Sequence, residues 1–341
     1  MRPDKTQLLS TLRRGKGTHI PMIELGVHPN IKSRILGREV RTLQDDIAFW
    51  EKAGYDYVKI QPGAEFNPGK IGMSGNLTYN EDGTLSRKWA SENHGVIGSF
   101  EDLEQYRWPS YGDFDYSRFE QVRSLLPSGM GVIGQYGDIF TMTWEMMGFE
   151  SFSLALYENP DLVKALNDKV GGLVLSMFEY FAQSDAVDAI WYSDDIAFTE
   201  GLLVSPDALH QYFFPWLKRI GDLARKANKP LLYHSDGVLW DVFEDIIACG
   251  VDAIHPIEPK AMDIAEVKKR YGDRLCLLGN VDVDLLARGS KDDIRAIVQK
   301  NIELVGRSGG YCVGSGNSIP EYVQFENYIA LLEASKEFGN G

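Results

Sequence analysis

Short apolar runs alternate with longer amphipathic stretches along most of the chain. Each run is rich in Ile, Val, Leu and Tyr and is bounded by Gly, Pro, Asp or Asn, which predicts a buried parallel strand. The predicted strands are residues 19–25, 55–61, 131–136, 188–193, 230–234, 252–257, 275–279 and 310–314. Eight strand–helix alternations favour a (β/α)₈ (TIM) barrel that forms a single catalytic domain over residues 1–341.

The amphipathic stretches carry recognisable helix ends. Ser205 and Pro206 form an N-cap and a first-turn proline ahead of one such stretch, and glycines follow three others. The predicted helices include residues 4–14, 208–227, 241–248, 264–271 and 293–305. A doubly wound open sheet is the alternative fold. It is disfavoured because no G-x-G-x-x-G follows a predicted strand.

The second predicted strand is followed by an unusually long stretch, about residues 62–128. A turn signal at residues 80–83 predicts a β-hairpin between residues 77–79 and 84–86, and a short helix begins at Glu101. An insertion of this length in a barrel is typical of a lid or a wall of the active site. Its aromatic residues Phe66 and Trp89 are candidates for covering a substrate.

Composition narrows the functional class. The 341 residues carry a net charge of −14, and no basic stripe interrupts it, which argues against nucleic-acid binding. No apolar run reaches the ~20 residues needed to cross a bilayer, and the N-terminus does not resemble a signal peptide. Three cysteines are an odd number in a long chain, so a disulfide framework is not expected. We expect a cytoplasmic enzyme.

Chemistry in a barrel concentrates at the carboxyl ends of the strands. His234 and Asp236 close the fifth predicted strand, and ligands one residue apart on an extended backbone reach a common point. A histidine with a carboxylate suits zinc or a similar cation, and it also suits a general base with its orienting acid. A histidine that is simply hydrogen-bonded beneath a turn is the structural alternative.

Other strand ends add candidates. Glu258 could supply a third metal ligand or a proton, or pair with a nearby cation, and Cys312 is either a soft metal ligand or a buried thiol. At the fourth strand, either Asp194 or Asp195 faces the pocket while the other caps the next element, and Asp195 is the candidate carried forward. The candidates for substrate binding are Glu24, Gln135, Asn280, Asp282 and Trp89.

With these residues in place, the chain resembles the uroporphyrinogen decarboxylase-like superfamily over nearly its whole length. The motifs that carry the resemblance are residues 134–137, 140–141, 148–150, 201–206, 233–237, 250–253, 256–258, 271–272, 279–282, 309–311 and 318–320. The resemblance implies a (β/α)₈ barrel independently of the apolar pattern.

The superfamily has two functional branches. The resemblance implies that a decarboxylase would need no cofactor and would hold a polycarboxylate through an arginine-rich segment after the first strand. Here the segment after Glu24 contains no arginine before Arg34. The other branch contains methyltransferases that pass a methyl group to a corrinoid protein or a thiol. Several of them resemble zinc enzymes in which a His-x-Cys pair on strand five and a later cysteine hold the metal. This chain has Asp236 in place of that first cysteine and Cys312 near the place of the second.

The resemblance therefore implies a methyltransferase that passes a methyl group from a small O-, N- or S-methyl compound to the cobalt of a corrinoid carried by a partner protein. The His234-Ser235-Asp236-Gly237 form is similar to the subgroup associated with demethylation of methyl ethers. Asp236 favours a metal site with harder ligands, drawn from His234, Asp236 and Glu258, over a thiolate zinc site. The alternatives are a cofactor-free decarboxylase and a non-catalytic barrel subunit.

Overall fold

A computed structural model describes residues 2–64, 66 and 95–340 of the chain. Its centre is a curled parallel sheet of seven strands in the order β1-β2-β3-β6-β7-β8-β9. These strands are β1 (Tyr57–Ile60), β2 (Gly131–Gly137), β3 (Ala189–Ser193), β6 (Leu231–His234), β7 (Ala253–His255), β8 (Cys276–Leu278) and β9 (Tyr311–Cys312). Seven of the predicted apolar runs thus contain strands. Nearly all of their side chains are buried, as expected for a parallel sheet covered on both faces.

The first predicted strand, residues 19–25, lies beside β9. Met22 forms an isolated parallel bridge with Val313, where the Ile23 N–H donates to the Val313 carbonyl at 2.8 Å. On the other side, the Tyr57 hydroxyl at the start of β1 donates to the Glu24 carbonyl at 2.9 Å. The segment is therefore placed between the two edges of the sheet. It meets one edge through an isolated bridge and the other through a side-chain hydrogen bond, without a continuous ladder.

Helices cover the outer face of the sheet, and their ends follow the local sequence. Asp4 caps the first helix through the Thr6 and Gln7 N–H groups, and Ser205 caps another through Ala208. The helices are Lys5–Leu12, Pro29–Leu36, Leu43–Ala53, Phe100–Gln105, Ser117–Leu125, Ile139–Met147, Phe149–Glu158, Pro160–Gln183, Pro206–Tyr212, Phe214–Lys226, Phe243–Ala248, Ile264–Tyr271, Val283–Arg288, Lys291–Asn301 and Phe325–Gly339. None of the helices in the described part of the chain is long and apolar enough to cross a membrane.

One predicted helix is wrong in its continuity. Residues 208–227 form two helices, Pro206–Tyr212 and Phe214–Lys226, which meet at Phe213. Pro215 lies in the first turn of the second helix, where it has no N–H to donate to the preceding turn. The proline therefore starts a new helix and ends the old one.

A short antiparallel hairpin follows β3. It pairs β4 (Ala197–Phe198) with β5 (Gly201–Leu202), and no apolar run predicts it. The Val238 N–H donates to the Phe198 carbonyl at 3.1 Å, so the hairpin lies against the loop after β6. It forms part of the rim around the candidate site.

The long stretch between β1 and β2 is described in part. Phe66 is buried against Phe114, with ring centroids 6.0 Å apart, and two helices occupy residues 100–125. Phe66 is thus packed beneath this segment rather than exposed over a pocket. The predicted hairpin at residues 77–86 and the candidate residue Trp89 lie outside the described residues.

Candidate active site

Three neighbouring strands bring the central residues together. Ser193 of β3 pairs with His234 of β6, and His234 pairs with His255 of β7. Because parallel strands end at one edge of a sheet, the residues that follow these three positions share that edge. The acidic residues that do so are Asp194, Asp195, Asp236 and Glu258.

Asp195, His234 and Asp236 form a compact group, referred to here as the acid–histidine cluster. The His234 Nε2 lies 3.6 Å from the Asp195 Oδ1 and 3.9 Å from the Asp236 Oδ1. One ligand atom from each residue lies within 4.8 Å of the others, which is a spacing suited to a metal ion. The His234 side chain is 6% exposed, against 29% for Asp236 and 47% for Asp195, so the cluster opens toward solvent on its acidic side.

Asp236 has one oxygen engaged and one free to bind. The Asn317 amide donates to its Oδ2 at 2.6 Å, while its Oδ1 is buried and has no hydrogen-bond partner among the described residues. Burial raises the pKa of Asp236 to about 6, with His234 opposing the shift and the Asp195 and Glu258 charges adding to it. A buried carboxylate oxygen without a donor is costly unless a ligand or ion satisfies it.

The two adjacent aspartates after β3 have separate roles. Asp194 accepts the N–H groups of Phe140 at 2.7 Å and Thr141 at 2.9 Å, at the start of helix Ile139–Met147. Burial, followed by the nearby Asp138 charge, raises its pKa to about 7. Asp195 instead accepts the backbone N–H of Asp236 at 2.9 Å. Asp194 is thus the residue that caps the helix, and Asp195 is the aspartate that belongs to the acid–histidine cluster.

His255 supports the cluster from below. Its Nδ1 lies 2.8 Å from the His234 Nδ1, and the His255 ring is fully buried with an edge-to-face contact to Trp191. Burial and the neighbouring His234 hold the pKa of His255 well below its usual range. A neutral His255 can share one proton with His234 and fix the orientation of its ring, which leaves the His234 Nε2 facing the acids.

Glu258 lies beside the cluster. Its carboxylate accepts the Gly237 N–H at 2.8 Å and the Thr199 hydroxyl at 2.9 Å, which joins β7 to the β4–β5 hairpin. Glu258 is not a member of the group that meets the metal-ligand spacing. Together with Asp236, it lines a pocket of about 250 Å³ whose other walls include Lys260, Asp282, Asn317 and Tyr322.

The remaining candidates lie at varied depths. Asp282 caps helix Val283–Arg288 through the Asp284 N–H at 2.8 Å and lines the same pocket. Asn280 is buried and occupied, since it donates to the Ile257 carbonyl and accepts from Asn301, both at 3.0 Å. Both ends of its side-chain amide therefore hydrogen-bond to other residues of the protein.

Glu24 and Cys312 lie in the interior. Glu24 is completely buried, and both of its oxygens accept hydrogen bonds from Ser315, through the backbone N–H at 3.0 Å and the hydroxyl. Burial raises the pKa of Glu24 to about 8. Cys312 is buried in β9, where burial followed by the proximity of Cys276 raises the pKa of its thiol. Cys312 is not a member of the metal-spaced group.

Gln135 is the central residue of a row of hydrogen-bonded polar side chains on strands β1, β2 and β3. Its amide donates to the Ser193 hydroxyl at 2.9 Å, and its carbonyl oxygen accepts from Lys59 at 3.2 Å and from Gln61. Lys59 and Thr199 are functional candidates that the sequence reasoning missed. The signal for Lys59 was a charged residue inside the apolar run 55–61, whereas Thr199 gave none.

The donor set fits a divalent cation. An imidazole nitrogen with two carboxylates is a common set for zinc and for harder first-row ions, and the free Oδ1 of Asp236 offers an unused ligand atom. His255 would act on such an ion only through His234.

The fold is an α/β fold with an acidic cluster at the carboxyl edge of a parallel sheet. The family model for uroporphyrinogen decarboxylase (URO-D) matches residues 85–338, and the chain belongs to this family. The resemblance to the superfamily is thereby confirmed.

Individual relatives agree with this assignment. The uroporphyrinogen decarboxylase of Coxiella burnetii (strain Dugway 5J108-111) is 25% identical over 256 residues, which cover 71% of this chain and 68% of the relative. That of Nitrosomonas europaea is 28% identical over 229 residues, covering 63% and 61% respectively. Among solved structures, a methyltransferase from Methanosarcina mazei superposes with a TM-score of 0.70 at 19% identity and covers 99% of both chains. This last similarity shows a shared fold.

Proposed function

We propose that the protein is a methyltransferase that moves a methyl group from a small O-, N- or S-methyl compound, with methyl ethers favoured, to the cobalt of a corrinoid held by a partner protein. The observation that carries the proposal is the acid–histidine cluster, open to solvent on its acidic side. The similarity to the methyltransferase from Methanosarcina mazei supports the methyltransferase branch over the decarboxylase branch. We further propose that residues 19–25 complete the sheet as the eighth strand of a (β/α)₈ barrel.

The chemical difficulty in this reaction is the leaving heteroatom. An alkoxide, phenolate or amide anion leaves poorly unless the heteroatom is protonated or bound to a Lewis acid as its bond to carbon breaks. Asp195, His234 and Asp236 would hold the cation, with Glu258 beside them. A zinc ion bound there would supply Lewis acidity toward the heteroatom.

The chain's own residues perform the positioning. His255 orients the His234 ring, Asn317 orients the Asp236 carboxylate, and the Asp236 N–H fixes the Asp195 carboxylate. Thr199 and the Gly237 N–H hold Glu258 at the rim. The substrate would therefore meet ligands whose geometry is set in advance.

The decarboxylase alternative rests on the family and on the curated relatives. It requires cationic groups for a carboxylate-rich substrate. The residues described around the pocket include no arginine and one lysine, Lys260, which is paired with Asp284. The acids Asp236, Glu258 and Asp282 line the same pocket. Arg34 pairs with Glu326 at 3.2 Å and stacks over Phe325, away from the pocket. A polyanion would meet repulsion at this rim.

Metal analysis combined with two activity assays tests the proposal. Purified protein is measured for bound zinc, manganese and cobalt, and then for methyl–cobalt formation from a panel of methyl ethers, amines and thioethers with a corrinoid acceptor. We expect His234→Ala to abolish metal binding and methyl transfer. His210→Ala, an exposed histidine paired with Asp245, is the matched control and should retain both. Turnover of uroporphyrinogen without methyl transfer would refute the methyltransferase assignment.

A further inference from the structure

Lys59 is a cationic residue in strand β1 of the central sheet. It lies next to the last residue of β1, is half-buried, and donates to the Gln135 carbonyl oxygen at 3.2 Å. Gln61 donates to the same oxygen, and the Gln135 amide continues to Ser193 at 2.9 Å. Ser193 is the register partner of His234. The polar line Lys59–Gln135–Ser193 therefore runs toward the acid–histidine cluster.

No anionic side chain of the described part of the chain forms an ion pair with Lys59. The acidic group whose charge acts on it is Asp46, which is already paired with Lys32 at 2.5 Å and with Arg118 at 3.1 Å. Burial, with a smaller contribution from Lys32, lowers the pKa of Lys59 to about 7. A half-buried ammonium that meets only amide oxygens is incompletely compensated.

The position of Lys59 relates it to the cluster. Strands β1, β2, β3 and β6 are consecutive in the sheet, and the register places His234 four residues nearer the carboxyl edge than the position on β6 that is level with Lys59. After burial and His234, the Lys59 charge helps to lower the pKa of His255, whose ring contacts His234. A substrate that binds at Lys59 and reaches the cluster would extend alongside the hydrogen bonds from Lys59 to Gln135 and from Gln135 to Ser193.

We propose that Lys59, with Gln61 and Gln135, forms an anion subsite that binds a carboxylate on the substrate. The subsite rests on the proposed function for its meaning: the substrate would be a small organic acid whose methyl-bearing heteroatom points to the acid–histidine cluster. A carboxylate there supplies the negative charge that Lys59 lacks, and the Gln61 amide offers a second donor. One lysine and two amides match a single carboxylate better than a polycarboxylate.

The test separates charge recognition from catalysis. Binding is measured by calorimetry for a series of benzoates and aliphatic carboxylates without a methyl ether, each beside its neutral amide. We expect the wild-type protein to bind at least one carboxylate about tenfold or more tightly than its amide. Lys59→Met should abolish that preference, and Lys59→Arg should largely keep it. Lys52→Met, at an exposed lysine of helix Leu43–Ala53, is the matched control and should behave as wild type.

Each outcome decides the proposal. Equal binding of carboxylates and amides by the wild-type protein, including no binding of either, would overturn it, as would an unchanged preference in folded Lys59→Met. Circular dichroism checks the fold, and if Lys59→Met does not fold, Gln135→Leu and the wild-type preference serve in its place. Carboxylate binding that depends on Lys59, together with no methyl transfer from any methyl ether, amine or thioether of the panel, would support the subsite and refute only the proposed reaction.

Discussion

The Asp195 carboxylate accepts a hydrogen bond from the backbone N–H of Asp236, with an N–O distance of 2.9 Å. The bond connects the turn after β3 to the turn after β6, so the Asp236 backbone positions the Asp195 carboxylate beside His234. Because Asp195 is held this way, the charge that it places near Asp236 is fixed. That charge is one of the causes that raise the Asp236 pKa.

The nature of the metal site can be tested by converting Asp236 to cysteine. Asp236→Cys would supply a thiolate next to His234, and thiolates favour zinc and cadmium over manganese or magnesium. We expect the affinity for zinc relative to manganese to rise by about tenfold or more, measured by competition with a chromophoric chelator. Asp207→Cys, on the exposed helix Pro206–Tyr212, controls for an added thiol. An unchanged metal preference would show that position 236 does not contact the ion.

Substitution should change the stability of the protein much more at Asp194 than at Asp195. Asp194→Asn places an NH₂ group among the buried donors of Phe140, Thr141 and Tyr192, so we expect the free energy of unfolding to fall by about 2 kcal/mol or more. Asp195→Asn should change it by less than about 1 kcal/mol, since its side chain is nearly half exposed. Urea unfolding measures both.

Metal affinity provides the complementary readout for this pair. Asp195→Asn should weaken metal binding by about tenfold, because an amide is a poorer ligand than a carboxylate. Folded Asp194→Asn should bind the metal nearly as tightly as wild type. If instead both variants lost stability equally and both kept the metal, the assignment of Asp194 as the cap and Asp195 as the ligand would be wrong.

Glu24 should make the stability of the protein depend on pH. Its folded-state pKa of about 8 lies above the ordinary value of 4.5, so the folded protein holds this proton more tightly than the unfolded chain does. This contribution is fully present below about pH 4.5 and is lost as the pH rises through 8, by about 1.4 kcal/mol per pH unit in between. Glu24→Gln mimics the protonated acid toward Ser315 and removes the dependence.

The measurement is urea unfolding of both proteins at several pH values from 5 to 8. We expect the substituted protein to gain stability relative to wild type by several kcal/mol across that range. Asp207→Asn, an exposed acid, should follow wild type at every pH. A constant difference between Glu24→Gln and wild type would mean that Glu24 is ionised in the folded protein throughout.

The sequence predicted site residues better when their position depends on where a strand ends than when it depends on which residues they hydrogen-bond. His234 and Asp236 could be placed because an apolar run ends at His234, and all parallel strands end at one edge. The choice between Asp194 and Asp195 depended on which side chain meets the start of helix Ile139–Met147, which spacing does not encode. The sequence predicted Glu24 as a substrate-binding residue, but its carboxylate accepts hydrogen bonds from Ser315, which lies 291 positions away.

The α/β class and seven of the predicted strands are confirmed, and the parts of the fold that the sequence did not predict have similar causes. Residues 19–25 have the composition of a strand, but their pairing with β9 reduces to single bridges. The β4–β5 hairpin has only two residues in each strand, too few for an alternating pattern to develop. Lys59 was hidden because a run of apolar neighbours in Tyr57–Ile60 predicts a strand regardless of one charged residue.

Binding of a carboxylate at Lys59 should weaken as the pH rises. The Lys59 pKa of about 7 means that its ammonium is lost just above neutrality, so the apparent dissociation constant should rise about tenfold for each pH unit between 8 and 9. The charged groups that face Lys59 are Lys32, Asp46 and His255; Lys32 and Asp46 pair with each other, and His255 is neutral in this range. Lys59→Arg keeps its charge at every pH tested and should show constant affinity. Calorimetry with a tight-binding carboxylate at pH 6, 7, 8 and 9 distinguishes the two profiles, and parallel slopes would place the titrating group elsewhere.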